Sequence, residues 1–219
     1  MPSCNTLTYN GTTQALVPAS ANLMLTSGSG MGPSGKDAGT YTVVGSPVNG
    51  YAFSDGAANK SVKCTIAKAD PTLSFTSSGI IIGNRSVTLY AKPNIAGSLS
   101  VSSSNASITA SGSGSVAANG QKGFPVSANN VSGSSTITVN FTPTDTKNYN
   151  TKSATATVTA YKEANPGSCV ANLRYTGSNQ TVVSGGVGVT YTTKSFSSVG
   201  LHQVTAAANN GYLFSDNTG

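Results

Sequence analysis

The chain carries one sequence pattern twice, near its start and near its end. CNTLTYNGTTQALV at 4–17 matches CVANLRYTGSNQTVV at 169–183. Further along, NGYAFSD at 49–55 matches NGYLFSD at 210–216. This self-similarity predicts two similar folded units with a different unit between them.

The two copies differ by an insertion. Leu7 aligns with Leu173, which lies 166 residues further on, whereas Tyr51 aligns with Tyr212, which lies 161 residues further on. The first copy therefore has five extra residues, in or near SGSGMGPSGKD at 27–37. Glycine and serine favour turns, so we predict that this insertion is a loop.

The segment between the copies has its own strand pattern. In STITVNF at 135–141, Ile137, Val139 and Phe141 share one face, and the residues between them are polar. Strict alternation is typical of antiparallel strands with one packed and one solvated face. The joints KADPT and KEANPGS contain proline and polar residues, as linkers do. We predict three tandem units, with these bounds: 1–69, 70–162 and 163–219.

The composition points to an all-β protein. Charged residues make up 8% of the chain, against roughly 25% in an ordinary globular domain. Serine, threonine, glycine and asparagine replace them, which favours short strands and frequent turns. No run has apolar residues at helical spacing for three turns. We therefore predict β-sandwich units.

The positive charge is spread along the sequence. The formal net charge is +6, and Lys60, Lys63 and Lys68 form the only local grouping. Nucleic-acid binding usually needs a basic stripe with aromatic residues between the charges, so we predict no nucleic-acid partner. No apolar run is long enough to span a membrane.

The first copy ends in a strand whose counterpart is missing from the second copy. In SVKCTIAKA at 61–69, Val62, Cys64 and Ile66 point to one face, which predicts a closing strand with a buried side. The second copy stops before such a strand, so we predict an incomplete third unit with an open sheet edge. A truncated sequence is the favoured explanation. The alternative is strand donation between copies of the chain.

The three cysteines lie at the edges of the repeats. Cys4 opens the first copy, Cys64 lies in its closing strand, and Cys169 opens the second copy. This arrangement predicts a Cys4–Cys64 disulfide in an oxidising compartment, leaving Cys169 without a partner. The alternative is that all three are small buried apolar residues.

Catalytic and metal-binding patterns are weak. His202 is the only histidine and aligns with Tyr41, which favours a packing role over a catalytic one. Asp55 and Asp216 occupy equivalent positions in separate copies, so they cannot form a catalytic pair within one unit. No cysteine or aspartate spacing resembles a zinc or calcium site. We predict no cofactor, no metal and no enzymatic activity.

One cluster leaves two interpretations open. Asp145 and Lys147 lie beside Asn148, and a lysine, an asparagine and a carboxylate together can form an intramolecular isopeptide bond. The order of these residues favours a turn instead.

These segments resemble known families. TLTYNGTTQALV, followed by DAGTYTVVG and NGYAFSDGAANKSVKCTIAKA, resembles the MBG-type repeat modules of Gram-positive surface proteins and of phage virion or tail-fibre proteins. The middle unit resembles bacterial immunoglobulin-like domains, most of all in FTPTDTKNYNTKSATATVTA at 141–160. The resemblance implies tandem immunoglobulin-like β-sandwich modules, the third incomplete.

The resemblance also implies a function. We expect a non-enzymatic structural and adhesive stalk on a phage virion or a bacterial cell surface, outside the cell, that attaches to a host-surface glycan or protein. The alternative is a carbohydrate-binding module, in which exposed tyrosines that recur between the copies stack on sugars. Packing at core edges is the competing role for these four residues: Tyr9, Tyr51, Tyr175 and Tyr212.

Overall fold

The structure, a computed structural model, describes residues 3–27 and 33–219. Its regular elements are all β-strands, and the described residues contain no helix. The predicted all-β class is confirmed. No membrane-spanning helix occurs in the part of the chain that the structure describes.

The N-terminal unit, predicted at 1–69, contains the strands β1 (Leu7–Thr8), β2 (Gln14–Ala15), β3 (Leu23–Ser27), β4 (Ser34–Gly35), β5 (Gly39–Pro47) and β6 (Lys60–Ala67). They form a four-stranded sheet with the order β1-β6-β5-β3 and a smaller pair, β2-β4. Side chains on β6 alternate between buried and exposed, with Cys64 and Ile66 fully buried. The apolar face expected of this strand is therefore present, and β6 lies between β1 and β5.

The middle unit, predicted at 70–162, has nine strands in two sheets, and its last strand runs to Glu163, one residue past the predicted bound. They are β7 (Leu73–Phe75), β8 (Ser78–Ile82), β9 (Ser86–Pro93), β10 (Gly97–Ser103), β11 (Ile108–Ala110), β12 (Ser113–Val116), β13 (Lys122–Ala128), β14 (Gly133–Pro143) and β15 (Lys152–Glu163). One sheet has the order β12-β10-β14-β15, with β8 parallel to β15, and the other has the order β11-β13-β9-β7.

The two sheets of the middle unit face each other across an apolar core. Ile137, Val139 and Phe141 on β14 are fully buried, and they meet Leu89 and Phe124 from the opposite sheet. The residues between them on β14 face outward. This is the predicted alternation, and it produces an immunoglobulin-like β-sandwich.

The C-terminal unit, predicted at 163–219, contains only short strand pairs after the end of β15 at Glu163. They are β16 (Ser168–Cys169) with β18 (Val183–Ser184), β17 (Gln180–Thr181) with β20 (Ser195–Phe196), and β19 (Val189–Tyr191) with β21 (Ala206–Ala208). A further strand, β22 (Tyr212–Leu213), pairs with β15. Within 165–219, all of which the structure describes, no side chain is fully buried.

The strand registers show that the terminal units share two equivalent strand pairs. In the first copy Leu25 pairs with Gly45, and in the second Tyr191 pairs with Ala206, at the equivalent positions. The pairs β2-β4 and β17-β20 also have equivalent registers. These equivalences place the five-residue insertion at 28–32, so the predicted loop lies outside the described residues.

Candidate functional site

A disulfide joins the start of the N-terminal unit to an inner strand of its sheet. Cys4 and Cys64 are bonded, with Cα atoms 5.4 Å apart and a sequence separation of 60. The bond ties the start of the chain to β6, beside Leu16 and Val17 in the core. Cys169, the counterpart of Cys4, is free and exposed.

The contact between the N-terminal and middle units is centred on Asn148, which is 5% exposed. Its Oδ1 accepts a hydrogen bond from the backbone N–H of Ala38 at 2.7 Å. Its Nδ2 donates to Asp145 Oδ2 at 2.8 Å and to Asp37 Oδ1 at 3.3 Å. Each polar atom of the buried amide thus has a partner. We call Asp37, Ala38, Asp145, Lys147 and Asn148 the clasp.

Charge reinforces the clasp. Lys147 Nζ lies 2.6 Å from Asp37 Oδ2 across the joint. This hydrogen bond holds the pKa of the Asp37 carboxyl below its usual value of 3.8 and raises the pKa of the Lys147 amine. Both side chains are partly exposed, so the pair mainly orients the two units and adds little stability. Lys147 and Asn148 lie in a turn, the interpretation that the sequence favours over an isopeptide bond.

Backbone and aromatic contacts complete this joint. Ala69 forms a parallel bridge with Tyr149. The Tyr9 ring meets the Tyr149 ring edge-on, with centroids 5.3 Å apart. Lys68 Nζ donates to the Thr146 carbonyl at 2.7 Å. The two units therefore meet over a surface held by hydrogen bonds and a ring contact.

The joint between the middle and C-terminal units uses a strand. Lys162 and Glu163 of β15 pair in parallel with Tyr212 and Leu213 of β22. The Lys162 ammonium lies 5.7 Å from the centroid of the Tyr212 ring. Arg85 adds a hydrogen bond to the backbone carbonyl of Ser215 at 2.7 Å.

The four repeated tyrosines have different surroundings. Tyr9 and Tyr212 are half-buried at the two joints, where each ring already has a partner. Tyr51, the counterpart of Tyr212, is 57% exposed, and Tyr175, the counterpart of Tyr9, is 67% exposed. The glycan-stacking hypothesis is therefore restricted to Tyr51 and Tyr175.

An apolar groove of about 480 Å³ opens in the C-terminal unit. Its walls include Cys169, Leu173, Tyr175, His202 and Val204. In the N-terminal unit the equivalent space is closed by β6, which pairs with both β1 and β5. Residues 201–205, which match the part of β5 that pairs with β6, belong to no strand.

The lone histidine occupies a packed position on one wall of this groove. His202 Nε2 lies 2.8 Å from the Ser198 carbonyl oxygen, and its ring stacks on Phe196 with centroids 4.1 Å apart. In the first copy, Tyr41 donates its hydroxyl to the Asp37 carbonyl, at the equivalent positions. Histidine thus replaces tyrosine with the same backbone partner.

The residue that packs against this ring also differs between the two copies: it is Gly35 beside Tyr41 and Phe196 beside His202. Gly35 faces Tyr41 so closely that an added Cβ would lie 2.8 Å from the tyrosine ring. Its counterpart is Phe196, which fills the space left by the smaller histidine ring. This paired exchange explains His202 through packing.

The equivalent aspartates both stabilise turns. Asp55 Oδ1 accepts from the Ala57 N–H, and Asp216 Oδ1 accepts from the Thr218 N–H. The hydrogen bond from Lys60 lowers the pKa of Asp55, and that from the Thr218 hydroxyl lowers the pKa of Asp216. Among the described residues, no three His, Cys, Asp or Glu side chains cluster closely enough to hold a metal ion.

Comparisons with solved structures find three matches at low identity and low TM-score. A Salmonella alpha-2-macroglobulin mutant matches 73% of this chain and 10% of its own, at 12% identity and a TM-score of 0.33. The D00-D0 domain of Intimin matches 72% of this chain and 96% of its own, at 11% identity and a TM-score of 0.33. Salmonella alpha-2-macroglobulin reacted with methylamine matches 68% of this chain and 10% of its own, at 12% identity and a TM-score of 0.32.

The chain spans about a tenth of the macroglobulin's length. No protein-family model matches it, and a search of curated proteins finds no match. Likenesses at these scores indicate nothing about function.

Sequence reasoning missed the clasp. Asp145, Lys147 and Asn148 stand out as a cluster in the sequence, but their partners Asp37 and Ala38 lie about 110 residues earlier. Nothing in the local pattern marks Asp37 as a contact of a different unit. The one available signal is that Asn148 is flanked by side chains that can hold it in a turn.

Proposed function

We propose that this protein is a structural and adhesive repeat protein, a stalk or fibre module of a bacterial cell surface or a phage virion. The observation that carries the proposal is the clasp. A buried, fully bonded asparagine at a joint between two β units holds the units in one orientation, as a stiff stalk requires. Simple linkers between independent domains leave the orientation free.

The location of the protein is proposed from its chemistry. A disulfide that closes a 60-residue loop supports an oxidising environment outside the cytoplasm. A low content of charged residues and a high content of β-structure suit a stacked, non-catalytic array whose units contact mainly their neighbours. Attachment to a host-surface glycan or protein would then take place at loops or faces that the joints leave free.

The orientation can be tested with Asn148→Ala. The substitution removes three hydrogen bonds of the clasp and leaves partly buried partners without them, at a cost of about 1–3 kcal/mol. We expect residual dipolar couplings to fit one alignment tensor for the N-terminal and middle units of the native chain, and two different tensors for the variant.

Asn150→Ala is the matched control for this experiment. Asn150 is exposed and makes one side-chain hydrogen bond, to Asp70. We expect this variant to keep the single tensor. Equal behaviour of the two variants would contradict a role of the clasp in orienting the units.

A second candidate function is carbohydrate binding, which the exposure of Tyr51 and Tyr175 favours. Tyr51 borders a surface cleft together with Phe53, Leu23 and Pro47. Aromatic faces at such clefts can stack on the apolar faces of sugars. The proposed ligand is a cell-surface or cell-wall glycan.

A glycan array and binding to intact Gram-positive cells test this second function. We expect Tyr51→Ala or Tyr175→Ala to reduce binding at least roughly tenfold, equivalent to about 1.4 kcal/mol. Tyr90→Ala serves as the control, since Tyr90 is also exposed but lies on β9 of the middle unit. Binding that survives both substitutions would rule out stacking by these rings.

A further inference from the structure

The C-terminal unit has the walls of a strand-binding site. In the N-terminal unit, Leu16, Val17 and Val43 are at most 1% exposed, because β6 covers them. Their counterparts Val182, Val183 and Val204 are only half-buried. The two units share equivalent strand pairs. The difference in burial therefore arises because β6 covers these side chains in the N-terminal unit only.

The backbone segments that pair with β6 in the first copy have counterparts along this groove that belong to no strand. In the first copy, Gly39–Gly45 pairs antiparallel with Lys60–Ile66, and Leu7 pairs in parallel with Ile66. The Tyr9 N–H donates to the Ala67 carbonyl at 2.9 Å. The counterparts of these strands, 173–175 and 201–205, are in no strand of the C-terminal unit.

The side chains beside the groove point to an apolar occupant. Leu173 is 43% exposed, whereas its counterpart Leu7 packs against the core of the N-terminal unit. Cys169 is exposed and free, whereas its counterpart Cys4 is bonded to Cys64 of β6. A bound strand with apolar residues at alternate positions could cover Leu173, and a cysteine among those residues could pair with Cys169.

We propose that this groove binds a single extended polypeptide strand of the β6 type. The strand would run antiparallel to 200–206 and parallel to 173–175, in the register of the first copy. Its residue equivalent to Val62 would face Val204, and its cysteine would face His202 and come within reach of Cys169. This inference concerns binding by the C-terminal unit and does not depend on the proposed adhesive role.

The cysteine allows a covalent test of the register. The probe is a peptide with the sequence of residues 58–69, whose cysteine is carried as a mixed disulfide with glutathione. The Cys169 thiolate attacks the peptide sulfur, the new Cys169–peptide disulfide forms, and the glutathione thiolate leaves. One disulfide is exchanged for another, so no net oxidation or reduction occurs.

The control peptide has the same composition, with its cysteine and the following threonine exchanged. A one-residue shift moves the thiol to the outer face of a strand. We expect Cys169 to exchange with the native peptide roughly tenfold faster or more than with the control, because the bound strand holds its thiol at a high local concentration. A Cys169→Ser chain should not form the adduct.

Binding without the covalent step is measured by calorimetry with a peptide whose cysteine is replaced by serine. We expect saturable binding with a Kd below about 100 µM and a higher unfolding midpoint of the C-terminal unit. Leu173→Thr should weaken binding. Val187→Thr should leave it unchanged, because Val187 is 54% exposed and does not line the groove.

The outcomes separate the proposal from its alternatives. No saturable binding, or equal exchange rates with both peptides, would overturn it. A stable dimer of the chain that the peptide cannot dissociate would mean that a second copy covers the groove, which would also overturn it. Loss of the clasp in Asn148→Ala should leave peptide binding unchanged, so this test can fail or succeed separately from the proposed stalk function.

Discussion

Replacing both Cys4 and Cys64 by serine is expected to destabilise the N-terminal unit by about 4 kcal/mol in the chain-entropy treatment of a loop of this length. The bond closes a loop between residues 60 positions apart and ties the first strand region to β6. Without it the unfolded segment gains conformational freedom, while most native contacts remain.

Differential scanning calorimetry measures this effect. We expect the transition of the N-terminal unit to move to a lower temperature, while the transition of the middle unit stays in place if the predicted boundary near residue 69 separates two cooperative units. Reductant should lower the same transition in the native chain and have no effect on the double variant. A midpoint insensitive to reductant would mean that the two sulfurs are not bonded.

Cys169→Ser is the matched control for the disulfide prediction. Cys169 is exposed and has no disulfide partner. Its replacement should therefore change the free energy of unfolding of each unit by no more than about 0.5 kcal/mol. The three cysteines thus separate a structural bond from a free thiol within one chain.

Phe141→Ala is expected to destabilise the middle unit by about 3–5 kcal/mol. Phe141 is fully buried between the two sheets and packs over Gly97, where an added Cβ would lie 2.5 Å from the ring. Truncation removes the ring from a core that cannot fully collapse around Gly97. In a domain of this size the unfolding midpoint should fall by roughly 12 °C or more.

Asn140→Ala provides the control on the same strand. Asn140 is exposed on the opposite face of β14 and accepts one hydrogen bond, from Ser153. We expect this substitution to lower the free energy of unfolding of the middle unit by about 0.5 kcal/mol. Similar losses from both substitutions would contradict the assignment of the two faces of β14.

The two predictions together test the unit boundaries. Independent units should each respond to the substitution in their own core, and the clasp should couple them only weakly in stability. If Phe141→Ala lowers every transition of the chain, the units fold as one cooperative body and the boundaries at 69/70 and 162/163 are wrong.

Local sequence pattern was enough to predict the strand faces. The alternation in β6 and β14 places every second side chain in the interior, because consecutive residues of a strand point to opposite faces. The repeat predicted the likeness of the terminal units, and their strand registers agree at equivalent residues. These features depend on neighbours in sequence, so one-dimensional information suffices for them.

The surroundings of repeated residues were decided by tertiary structure. Tyr51 and Tyr212 stand in the same motif, yet only Tyr212 lies against the end of β15. Tyr9 and Tyr175 differ in the same way, because Tyr9 meets Tyr149 of the adjoining unit. Whether such a ring is free depends on which unit packs beside it, which the motif does not encode.

The alternating pattern, the repeat and the placing of the cysteines were thus readable from the chain alone, since each follows from short-range geometry. The clasp and the groove were not. The clasp forms because Asp37 and Asn148 meet across a joint between two units. The groove forms because the segments that β6 covers in the N-terminal unit have uncovered counterparts in the C-terminal unit. Both arise from the packing of whole strands and units against one another, which only the folded chain determines.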